Sequence, residues 1–247
     1  MPFGSHLAMT LGFFGGILPS VILVFYTLFP YEGYYKDKHF FFLLVIGLIG
    51  GTFTAVLYYW SAGYIISSGP LLSFILIIIC FAVFEMLLFT IILSMERFGG
   101  KFDLTYYGVV LGGTVAGVIG MFNIYVFFTA YDPSWQAVLS IALMIPTLPL
   151  LYLSLSSMIG FGLFKHKFSK YAGWMVLYKI IFNLVFLQWY IGYLFLPPEH
   201  GWEWMVICFI FAVIIYRYSR TDLLPAALPE KLKKHRRRKR RQDKQKH

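Results

Sequence analysis

The sequence predicts an all-α fold, a polytopic transmembrane helix bundle of about seven spans. Three observations predict it. The chain is 59% hydrophobic and only 13% charged, against about 45–50% and about 25% in a soluble domain. Apolar runs of about 20 residues, the length that crosses a bilayer, recur along it. The basic charge of the connections alternates from one to the next. This composition excludes a sizeable soluble core and divides the 247 residues into a membrane domain, 1–224, and a basic tail, 225–247, expected to be disordered.

The first span is expected over Leu7–Phe29 and holds Pro19. The preceding MPFGSH has no basic n-region, so this run is expected to stay as a helix and not to be cleaved as a signal peptide. The second and third runs are Phe40–Ile65 and Leu71–Met95. The fourth, Leu104–Ala130, carries Gly108, Gly112, Gly113 and Gly117 in two overlapping GxxxG spacings, which let helix backbones approach closely. The fifth, Trp135–Phe164, is overlong and contains Pro146 and Pro149, which predict a kink or a split. Tyr171–Leu196 and Trp202–Tyr218 complete the set. Tyr58, Tyr59, Trp60, Trp202 and Trp204, near segment ends, read as interface anchors. Cys80 and Cys208 both fall inside apolar segments, so no disulfide framework is expected.

Loop charge gives the orientation. Lys36 and Lys38, then Arg97 and Lys101, then Lys165, Lys167 and Lys170 occupy alternate connections, while the intervening ones carry Asp132, Glu199 and Glu203. Under the positive-inside rule the N-terminus is expected outside and the C-terminus in the cytoplasm, in the cell (plasma) membrane. An even number of spans would break the alternation.

Two full charges lie deep in apolar helices: Glu85 on the third span and Lys179 on the sixth. Each is costly at mid-bilayer unless paired or functional. Both stand roughly 12–15 Å from the tail-side end of their spans at 1.5 Å per residue, a depth at which opposite charges can pair. Asn183 shares the face of Lys179, and Asn123 and Gln188 extend the polar set. Three readings stay open: an ion pair that fixes helix register, a catalytic or transport pair, and no contact at all, with Lys179 snorkelling to the interface.

Other chemistries find little here. A zinc hydrolase needs about three converging His, Glu or Cys ligands. The histidines, His6, His39, His166, His200, His235 and His247, read as residues of loops and termini. No HExxH, GxSxG or phosphate-binding glycine loop occurs, and a retinal-type lysine would sit on the last helix rather than the sixth.

From Gly15 to Gln188 the layout resembles the PrsW family of intramembrane metalloproteases, related to the CAAX-protease clan. Pro19 lies in the first helix, and an acidic loop, Tyr31-Glu32-Gly33 through Asp37, leads to the second. The third helix of the family carries Glu-Glu-x-x-Lys; here Phe84-Glu85-Met86-Leu87-Leu88-Phe89 keeps one Glu and no Lys. Asp103 and Gly108 match an Asp-rich loop and the Gly that follows it, while the second Asp has become Tyr107. Asn123 stands at the Glu-Asn motif with its Glu missing. Gly160-Phe161-Gly162 matches a Gly-x-Gly helix end; the His position before it falls among Leu150–Leu153, and a second His becomes Lys179, with Asn183 in place of an Asn. The resemblance implies a metal held by those His and Glu residues. With both His absent it implies a lost active site, in which Lys179 supplies the positive charge that Glu85 requires. No catalytic residue, metal or cofactor is therefore expected.

From Lys231 the chain is basic, with 11 of the 21 Lys and Arg and a single acid, equal to the whole net charge of +10. Lys233, Lys234, Arg236, Arg237, Arg238, Lys239, Arg240 and Arg241 form its centre. It suits anionic lipid headgroups, ribosomal RNA or an acidic protein partner. The sequence thus points to a pseudo-protease that binds or scaffolds a membrane partner. Its alternatives are an active hydrolase with unusual ligands around Glu85, Asp103 and Asn123, and a small transporter or lipid-handling protein gated by Glu85–Lys179.

Overall fold

The computed structural model describes residues 5–68, 71–98, 101–130, 134–195, 202–230 and 232. Gln188, whose backbone is helical, His200, His235, His247 and the basic run Lys233–Arg241 lie outside the residues or side chains described. The described chain is helical throughout, with no strand among its elements. Seven helices or helix groups are long and apolar enough to cross a membrane: His6–Tyr31, Asp37–Trp60, Ile75–Leu93, Leu104–Thr129, Trp135–Phe164, Phe168–Leu187 and Trp202–Ala227.

The first span is α1 (Ser5–Gly12), a π-turn over Phe13–Ile17, and α2 (Leu18–Leu28). The π-turn stands just ahead of Pro19. A proline ring crowds the carbonyl four residues back, and widening the turn moves that carbonyl aside. A helix α3 (Asp37–Ser68) and a helix α4 (Leu71–Leu93) follow, then α5 (Leu104–Ala130), α6 (Trp135–Phe164), α7 (Phe168–Phe195) and α8 (Trp202–Tyr218). A second π-turn, Ser219–Leu223, again precedes a proline, Pro225, and leads into the short α9 (Leu224–Ala227).

α6 is continuous through Pro146 and Pro149, so the split foreseen from the prolines does not occur. It starts at Ser134, whose hydroxyl accepts the Ala137 N–H at 3.3 Å. It ends where His166 turns to a left-handed φ of 53° and Lys167 N–H reaches the Gly162 carbonyl at 2.9 Å. His6 and His39 stand in the first turns of span helices, a correction to their reading as loop residues.

α5 and α6 form the centre: 72% and 67% of their most apolar windows are buried, against 28–33% in the other spans. In a membrane, close packing rather than water exclusion holds helices together, and the glycines of α5 show how. The two central helices run antiparallel along a glycine seam. A Cβ on Gly108 would lie 2.4 Å from the Ser156 carbonyl oxygen, and one on Gly112 2.2 Å from that of Tyr152. From the α6 side, a Cβ on Gly160 would lie 2.2 Å from the Leu104 carbonyl. The other spacing faces the first span, where Gly113 meets Val24 and Gly117 meets Ser20. Each pair of small residues thus serves a different neighbour.

Several hydroxyls buried in the spans return to their own helices: Ser20 donates to Gly16 O at 2.9 Å, Thr54 to Gly50 O at 2.8 Å, and Ser154 to Leu150 O at 2.6 Å, whereas the Thr105 hydroxyl at the start of α5 has no partner. Ile49, Trp60, Ile91 and Ile214 point outward to the lipid. At the tail-side face the packed bundle continues past residue 224: Ala227 and Leu228 are buried, and Leu232 packs on the core. Tyr106 donates to the Leu224 carbonyl at 3.2 Å, and Ser157 and Ser219 hydroxyls pair at 2.8 Å.

Candidate functional site: a buried ion pair

Glu85 sits mid-way along α4, with no solvent exposure, and Lys179 on α7 is 1% exposed. Lys179 Nζ lies 2.9 Å from Glu85 Oε2. An uncompensated charge here would cost several kcal/mol, and the surroundings supply further compensation. Glu85 Oε1 accepts the hydroxyl of Tyr152 at 2.6 Å and that of Tyr58 at 3.0 Å. Lys179 in turn donates to the Tyr152 hydroxyl. Its ammonium faces the rings of Tyr152 at 3.8 Å, Tyr58 at 5.6 Å and Phe182 at 5.6 Å, a cage whose negative faces favour a cation.

The fold places each partner. The Gly112 contact brings the backbone of Tyr152 against α5. Tyr58 stacks on Phe81 of α4 with ring centroids 4.4 Å apart. Four helices, α3, α4, α6 and α7, therefore meet at one carboxylate. Tyr58 is not the interface anchor that its place near Trp60 suggested: its hydroxyl turns inward to Glu85. Tyr152 was hidden in the apolar run Leu150–Leu153, where nothing local marks it out.

Asn183, 2% exposed, accepts a longer bond from Tyr58 at 3.4 Å through Oδ1, and its Nδ2 has no partner. Asn123 is half-buried and lines the same pocket as Lys179 and Asn183. Asp103 belongs elsewhere. It lies at the foot of α5, and 20 residues of continuous helix, about 30 Å at 1.5 Å per residue, separate it from Asn123. The set Glu85, Asp103 and Asn123 therefore does not converge into one ligand cluster, which corrects the hydrolase alternative built on it. Gly108 lies on the glycine seam, and Pro19 follows the first π-turn.

At its own site Asp103 is 7% exposed, and burial holds its carboxyl above the usual carboxylate range, partly offset by a hydrogen bond from Tyr107. The Tyr107 hydroxyl also accepts the Lys36 N–H at 3.1 Å and pairs with His39 Nδ1 at 3.1 Å, tying the first connection to the start of α5.

A metal ion fits this donor set poorly. Among the described residues no three His, Cys, Asp or Glu side chains gather where they could hold one. Beside Glu85, the approach is taken by an ammonium that a metal cation would have to displace. Fold and site together define an integral membrane protein built around a buried glutamate–lysine pair. No family model, curated protein or solved structure matches the chain.

Proposed function

We propose that the protein is a non-catalytic member of the PrsW-like design, which holds a membrane partner and does not hydrolyse it. One observation carries the reading: Lys179 neutralises Glu85 at 2.9 Å. The resemblance equates Glu85 with a family Glu, Lys179 with a His, and the stretch Leu150–Leu153 with another His. Glu85, Tyr152 and Lys179 meet at one point, which supports that correspondence. Their identities remove its chemistry. A carboxylate already engaged by an ammonium and two hydroxyl donors is a poor base for activating water, and Lys⁺ and a phenol replace two imidazole ligands.

In this reading the pair is a clasp, and the partner is a membrane protein. The C-terminus faces the cytoplasm at the plasma membrane, on the side where the basic connections lie, and the tail rests on anionic headgroups. The test is the metal content of detergent-purified protein, wild type beside Glu85→Ala. Neither form is expected to carry zinc in stoichiometric amount. One equivalent in the wild type that disappears in Glu85→Ala overturns the reading and restores the hydrolase. A second reading, a proton-linked gate, is favoured by the pocket beside Lys179; proton flux in vesicles that is lost in Glu85→Gln would establish it.

A further inference from the structure

A groove separate from the ion pair lies at the tail-side ends of the first two spans, walled by α2, the first connection and the start of α3. Its volume is about 600 Å³, within the roughly 300–1,000 Å³ of small-ligand sites. Phe40, 3% exposed, forms the floor, with ring centroids 5.3 Å from Phe25 and 5.8 Å from Tyr35. Tyr26 and Phe41 add further rings, and Glu32 and Asp37 add two carboxylates. Both carboxylates bear on Tyr35: burial first, then their two charges, hold its hydroxyl above the usual phenol range. Among the described residues no Lys or Arg lines the groove; Lys36 and Lys38 share the connection but stand outside it, exposed. Ring faces together with carboxylates attract a cation. One cation is already drawn to this wall, where the Arg220 guanidinium lies over the Tyr26 ring at 4.4 Å. It places a positive charge at the edge of a groove whose own charges are negative.

We infer that this groove binds the zwitterionic headgroup of a phosphatidylcholine-type membrane lipid, its trimethylammonium among the rings and carboxylates and its phosphate toward Arg220. The depth is right for a headgroup. One span ends at Tyr31 and the next begins at Asp37, so Glu32 and Asp37 stand at the membrane surface. Phe29 and Phe41, exposed on the same groove, give the acyl chains an apolar path into the bilayer, which a soluble cation would leave unused. A trimethylammonium needs no hydrogen-bond acceptor and so suits ring faces, whereas a primary ammonium brings three donors. A headgroup of net negative charge is repelled by Glu32 and Asp37. The site shares no residue with the ion pair, so the inference is independent of the clasp reading.

The test is native mass spectrometry of the full-length protein released from maltoside micelles. Phosphatidylcholine, phosphatidylethanolamine and phosphatidylglycerol with identical chains are added separately at one concentration. The wild type is expected to retain one phosphatidylcholine with an affinity about tenfold above either other lipid. Two variants accompany it, each altering exposed side chains and sparing the core: Glu32→Gln with Asp37→Asn removes the charges, and Phe41→Ala removes a ring. Both are expected to bring phosphatidylcholine down to the level of phosphatidylethanolamine. Equal retention of the three lipids by the wild type overturns the inference and leaves binding to the chains alone. Retention of phosphatidylcholine that survives in either variant overturns it as well, by taking the lipid away from this groove. Free choline that displaces the lipid at equal concentration overturns the membrane lipid as the source of the cation.

Discussion

Removing one member of the Glu85–Lys179 pair should cost far more than removing both. Each side chain is at most 1% exposed, so neither survivor can recover its hydration. Breaking a buried pair from one side costs about 3–5 kcal/mol, whereas replacing both members with apolar groups is often neutral or stabilising. Glu85→Gln leaves the ammonium facing a neutral amide. The aromatic rings and the Tyr152 oxygen remain, so the loss belongs at the middle of that range, about 4 kcal/mol. That is close to three powers of ten in the folded-to-unfolded ratio. Lys179→Met should cost somewhat less, because Tyr152 and Tyr58 still donate to Glu85 Oε1. The double variant should return to within about 1 kcal/mol of wild type, a coupling energy of about 6 kcal/mol between the two positions. The assay is equilibrium unfolding in mixed micelles, with helix content followed by circular dichroism. A double variant whose loss equals the sum of the single losses would refute the reasoning.

Four further outcomes test the packing and the loops. Gly112→Ala puts a methyl 2.1 Å from Ser156 Oγ and 2.2 Å from a backbone carbonyl, so α5 and α6 must separate; a loss of more than about 3 kcal/mol is expected by the same unfolding assay. Gly173→Ala on α7 meets nothing within 4 Å and should instead gain about 0.5–1 kcal/mol. His166→Gly relieves a left-handed φ of 53° at the end of α6 and should stabilise by about 1 kcal/mol, read in the same titration. Asp103 gives a pH dependence. Its folded carboxyl lies above the ordinary value of 3.8, so the stability it contributes is full below that value and is lost as pH rises through the folded one. Melts at rising pH should show wild type falling relative to Asp103→Asn; a constant difference would remove Asp103 as the cause.

The helices were legible because a run of apolar residues is a local property, and its length alone decides whether it spans. Glu85 and Lys179 stood out for a related reason, as lone charges against an apolar background. The residues that complete their surroundings did not. Tyr58 lies two positions from Trp60 and shares the composition of an interface belt. Tyr152 lies among leucines, and its role depends on which backbone meets Gly112 from across the bundle. That register between α5 and α6 is a relation between distant segments, invisible in either one. The split foreseen from the prolines of α6 does not occur because the breaking rule counts only the helix itself. Here the helix runs on through both prolines, packed between α5, α7 and α8.

The hook formed by the second π-turn and α9 bears on the order of assembly. Leu224, Ala227 and Leu228 cover the tail-side end of the two central helices, and Tyr106 donates to the Leu224 carbonyl. These residues leave the ribosome after six spans have been made and complete the seventh. Until then the middle of the bundle is open at one end, and Tyr106 lacks the Leu224 carbonyl. A chain stopped at residue 218 would hold all of α8 and still lack its keystone, so quality control that senses exposed polar groups in the bilayer could tell it from a chain that reaches residue 228.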